Sequence, residues 1–90
     1  MLSDIPKKLE KVDKKLIDLE ILRTGIIAEL DAVSLYEQMA AMTSDKKIKE
    51  ILLNIAKEEK THVGEFETLL LQRDKEQVKE LEAGKKEVEG

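Results

Sequence analysis

From about Lys7 to Met42 the apolar residues return every three or four positions: Leu9, Val12, Leu16, Leu19, Leu22, Ile26, Val33, Tyr36 and Ala40. That period lines them along one side of a helix and predicts a first helix over this stretch. Thr43-Ser44-Asp45 breaks the pattern, with Ser44 or Asp45 placed to cap the next helix. This second helix carries Ile48, Ile51, Leu52, Ile55, Phe66 and Leu69 and is expected to end near Arg73. Asp74 can cap a short third helix through Glu82, with Gly84 as its stop. A turn this short makes the first two helices antiparallel neighbours. The fold class is therefore all-α. Residues 1–73 are expected to form a helical hairpin and residues 74–90 a short C-terminal helix and tail. The last stretch is mostly charged and offers only Val78 and Leu81 for packing, so it reads as solvated.

Three polar residues interrupt the apolar stripes. On the first helix Leu22, Ile26, Glu29, Val33 and Tyr36 follow one another at intervals of three or four, so Glu29 points where its apolar neighbours point. On the second, the run Leu52, Ile55, Glu59, His62, Phe66, Leu69 puts Glu59 and His62 in two such places. A carboxylate there is costly unless paired, protonated or bound to metal. Glu59-Lys60-Thr61-His62 is a Glu-x-x-His motif, whose i, i+3 spacing lets both side chains reach one ion. The motif by itself is weak, because 14 Glu in 90 residues give any His about a one-in-six chance of it. Register strengthens it. Positions 29 and 59 are equidistant from Ser44 in the turn, so both lie about 20 Å from the turn at roughly 1.5 Å per residue. Two carboxylates and one imidazole then converge.

Composition narrows what such a cluster can be. There is no cysteine, which removes disulfides, thiolate metal sites and cysteine nucleophiles together. Ninety residues make one small domain, which needs metal or self-association for added stability. The net charge of −4, the few aromatic residues and the interleaving of bases with acids argue against nucleic-acid binding. No apolar run is long enough for a membrane span, and Met1–Lys15 is too charged for a signal peptide, so the chain reads as soluble and cytoplasmic. Carboxylates with one imidazole and no sulfur suit iron or manganese. Di-iron bundles use one Glu from each of two helices and Glu-x-x-His from each of the other two. This hairpin supplies half of that set, and a two-fold pair supplies all of it. A homodimer that completes a paired site for iron or manganese is expected.

The stretch IIAELDAVSLYEQMA followed by KEEKTHVGEFETLLL resembles the encapsulated ferritins, ferritin-like cargo proteins of encapsulin nanocompartments. The likeness is close over Ile21 to Leu71 and looser in the tail, and is nearest to archaeal-type members, in which such a domain is fused ahead of the shell protein. It implies that two-helix chains pair face to face into a ferritin-like four-helix bundle, build a ferroxidase centre across the interface, and join as dimers into a ring, typically a decamer. It implies Glu29 and His62 as terminal ligands, Glu59 as the bridge between two irons, and Tyr36 beside the centre. Tyr36 is equally well explained as a core aromatic. Other members place further acids near the mouth of the centre; Ala28 is apolar here, while Asp31, Glu58 and Glu65 could attract iron(II) or simply form a solvated face. No cargo-targeting peptide is recognisable after Leu81, so the chain is either a domain of a longer fusion or reaches an encapsulin shell differently.

The resulting expectation is a ferroxidase that oxidises iron(II) for storage in an encapsulin compartment of the cytoplasm. A rubrerythrin-like peroxide reductase would use the same ligands, though such proteins usually add a cysteine-bound iron that this chain cannot supply. A non-enzymatic assembly module, whose buried polar residues fix register, is the third reading.

Overall fold

The computed structural model describes residues 13–90, and among them only helices and their connections are formed. The first expected helix is α1, Lys14–Met42. Asp13 caps it, its carboxylate accepting from the Lys15 amide at 2.9 Å. The expected start near Lys7 lies outside the described residues. The turn Thr43–Asp45 is fastened at both ends. The Thr43 hydroxyl accepts from the Asp45 amide at 3.1 Å, and Asp45 Oδ1 accepts from the amides of Lys47 and Ile48 at 2.9 and 3.0 Å. Of the two expected caps, Asp45 takes the role. It satisfies two amide donors that have no partner inside the helix.

Helix α2, Lys46–Leu71, runs back along α1. It stops two residues before the expected Arg73, where the amides of Arg73 and Asp74 both turn onto the Leu70 carbonyl at 3.0 and 2.9 Å. Helix α3, Lys75–Glu89, starts on Asp74, whose Oδ1 accepts from the Gln77 amide at 2.9 Å. It continues through Gly84 for five further residues, well past the expected end at Glu82. Glycine weakens a helix but does not forbid it. Glu82 and Lys86 straddle Gly84 at the favourable i, i+4 spacing. The left-handed glycine at the helix end is Gly90, with φ of +87°, and not Gly84.

The core is small. Leu19 and Leu22 of α1 meet Leu70 of α2, with Ile26 and Phe66 packed against them. Val33, Ala40 and Ala56 continue the seam toward the turn. On α2 the expected stripe splits in two. Ala56 and Leu70 press on α1, whereas Ile48, Ile51 and Leu69 are exposed. Leu70, not Leu69, is the core residue at that end. At 19 Å in its thinnest direction, the chain is only about two helix diameters thick. One side of the hairpin therefore keeps an uncovered row of large apolar residues. No helix among the described residues is long and apolar enough to cross a membrane.

Candidate metal centre

Glu29 enters the interhelical seam between Ile26 and the buried Val33. Glu59 enters it from α2, one turn after the buried Ala56. His62 comes one turn later, toward the exposed apolar row, and its side chain is 44% exposed against 19% for each carboxylate. Nδ1 of His62 lies 3.3 Å from Oε2 of Glu29 and 3.5 Å from Oε2 of Glu59. One donor atom from each of the three residues falls within 4.8 Å of the others. Two ligands on opposite sides of one first-row ion are about 4.2 Å apart at metal–ligand distances near 2.1 Å. Closing the cluster around an ion thus needs shifts of only a few tenths of an ångström. The donor set, two carboxylates and an imidazole without sulfur, fits iron or manganese.

The electrostatics show what holds these groups together. The Glu29 carboxyl is pushed above its ordinary 4.5, first by a hydrogen bond with Glu59, then by burial and the Glu59 charge, while His62 pulls the other way. A bond between two carboxyls requires a proton on one of them. Burial lowers the affinity of His62 for its proton, but the hydrogen bonds and charges of Glu29 and Glu59 outweigh it and raise the ring above 6.5. Protons so placed relieve the repulsion between two carboxylates, a task a cation among the same atoms would take over.

The other expected residues are not among the three that converge. Tyr36 is half-buried on α1, two turns beyond Glu29. Glu58 and Glu65 are exposed on α2, and Asp31 is half-buried on the side of α1 away from Glu29. Across the seam Lys60 pairs with Glu37 at 3.2 Å. One contact beside the cluster escaped the sequence: the ring of Phe66 lies on the backbone of Gly25. A glycine in the interior of a long helix was the signal that could have found it.

The chain has relatives of known family. The profile of the EncFtn-like family matches residues 4–84. A ferritin-like-encapsulin shell fusion protein of Pyrococcus furiosus is 60% identical over 70 residues, covering 78% of this chain and 20% of that protein. The encapsulin nanocompartment cargo protein EncC of Myxococcus xanthus is 36% identical over 69 residues, 73% of this chain and 53% of that one. The chain therefore spans about a fifth and about half of these relatives' lengths. The crystal structure of the encapsulated ferritin domain from Pyrococcus furiosus superposes with a TM-score of 0.82 at 53% identity, covering 94% of this chain and 90% of that domain. With its helical hairpin and a family match over most of its length, the chain belongs to the EncFtn-like family of encapsulated ferritins.

Proposed function

We propose that two copies of this chain pair to form a di-iron ferroxidase centre from Glu29, Glu59 and His62 of each. The observation that carries this reading is the convergence of three ligand atoms within 4.8 Å at the edge of an uncovered apolar row. One hairpin offers three ligands, too few to surround two ions, and a two-fold partner doubles them. Pairing would also cover Ile48, Ile51 and Leu69, whose exposure is unfavourable in a lone chain.

Iron(II) is the substrate. Two iron(II) ions give up one electron each, and dioxygen takes both with two protons to leave hydrogen peroxide. The chain's part is to hold and orient. As the resemblance to encapsulated ferritins implies, Glu59 would bridge the two ions, and Glu29 and His62 would hold them as terminal ligands. A proton on the His62 ring leaves as an ion binds, because a ligand nitrogen must be neutral. Tyr36 would stand near the centre without ligating it. The names of its relatives, a ferritin-like-encapsulin shell fusion protein and an encapsulin nanocompartment cargo protein, support an encapsulin shell as the place where the oxidised iron would be stored. A ring of dimers in the cytoplasm is what the resemblance implies.

Anaerobic iron(II) titration followed by native mass measurement, then exposure to air, tests the proposal. The expected result is assembly beyond the monomer driven by iron through mass action, with about one iron per chain and rapid formation of iron(III). Assembly unchanged by iron, with oxidation no faster than in protein-free buffer, would overturn it.

A further inference from the structure

Helix α1 carries one internal glycine, Gly25, a single turn before Glu29. Glycine weakens a helix relative to alanine, so its presence there has a local reason. A β-carbon built on Gly25 would lie 3.0 Å from Cδ1 and Cε1 and 3.1 Å from Cζ of Phe66. The Phe66 ring therefore rests directly on the bare backbone of α1. It has little room to withdraw, because it is also packed against the cluster of Leu19, Leu22 and Leu70. Nothing comparable occurs at Gly64 or Gly84, where an added β-carbon meets no atom within 4 Å.

Phe66 is one turn after His62 on α2, just as Gly25 is one turn before Glu29 on α1. The Gly25–Phe66 contact and the Glu29–His62 contact are thus adjacent rungs of one antiparallel register. We infer that the seating of Phe66 on Gly25 sets the separation of α1 and α2 at the metal cluster, and so positions the Glu29 carboxylate and the His62 ring for a shared ion. Neither Gly25 nor Phe66 touches the ion; both are positioning residues. The inference rests on the metal-binding role proposed for the triad. A side chain at position 25 pushes the ring outward, the helices part by a few tenths of an ångström, and the ligand atoms lose reach. A smaller residue at position 66 gives that space back.

The test compares the full chain with G25A, G64A and the double variant G25A/F66L. His62 is the sole histidine, so its ring signals are unambiguous in NMR. In wild-type protein prepared without metal, nuclear Overhauser contacts are expected between the His62 ring and the Glu29 side-chain methylenes. G25A loses them and binds iron(II) anaerobically at least about fivefold more weakly, the low end of the cost of overpacking a fitted contact. G25A/F66L recovers both, and G64A keeps both. Unchanged contacts and affinity in G25A, no recovery in the double variant, or an equal loss in G64A would each overturn the inference. Wild-type protein that shows the His62–Glu29 contacts yet binds no iron(II) would instead remove the proposed function and leave the positioning role standing.

Discussion

The guanidinium of Arg23 on α1 donates to Oδ2 of Asp74 at 3.1 Å, while Oδ1 of the same carboxylate receives the Gln77 amide at 2.9 Å. One side chain thus caps α3 and ties it to the hairpin. Asp74 is 13% exposed and Arg23 43%, so the carboxylate is the better-sheltered partner and the pair the less valuable of its two interactions.

Replacing Asp74 with alanine removes both and should cost about 1–2 kcal/mol, most of it the lost cap. Arg23→Ala should cost less than about 1 kcal/mol. Asp74→Asn, which keeps a capping oxygen without the charge, should resemble Arg23→Ala. Thermal unfolding followed by circular dichroism checks the order. Equal losses in Asp74→Ala and Asp74→Asn would show that the charge, not the cap, anchors α3.

Neighbouring glutamates should behave unequally. Glu59 lies against His62 in the seam, whereas Glu58 is exposed about 100° further round the helix. Glu59→Ala should lower the aerobic iron-oxidation rate on the order of 100-fold, at least the effect of losing a group that merely supports a ligand. Glu58→Ala should change it less than about threefold, by altering only the field at the surface. A larger loss at Glu58 would contradict the placement of the ligands.

The His62 pKa is raised above 6.5 by its two carboxylate partners. Its contribution to the stability of metal-free protein is complete below the ordinary value and fades as pH climbs through the raised one. Glu29, also raised, stabilises only while protonated, and its contribution fades on the way up from 4.5. Both signs agree. The melting-temperature advantage of wild type over His62→Gln should therefore shrink as pH rises above about 6.5. An advantage that grows with pH would mean the ring is held neutral. Iron(II), which needs the neutral ring, should bind more weakly as pH falls.

The convergence of Glu29, Glu59 and His62 was legible because they break otherwise apolar stripes, and helical spacing then fixes their direction. The hairpin was legible because Thr43-Ser44-Asp45 is both short and rich in capping groups. Leu70 was missed because α2 carries two apolar stripes one residue apart. Periodicity cannot say which of Leu69 and Leu70 meets α1 until the partner helix is in place. Gly84 misled for a similar reason: glycine marks many helix ends, but the charged pairs spanning it favour continuation. The Gly25–Phe66 contact depends on the distance between two helices, which no single stripe encodes.

In the proposed centre each hairpin brings Glu29, Glu59 and His62, so such a centre would count chains in twos. A damaged chain that still pairs would disable its partner as well. In an equal mixture of wild type and His62→Ala, random pairing leaves about a quarter of the dimers with both sets intact. Activity should then follow the square of the wild-type fraction, whereas a centre contained within one chain would lose activity in direct proportion. The curvature of that dose response reports the stoichiometry of the site without any view of the assembled particle.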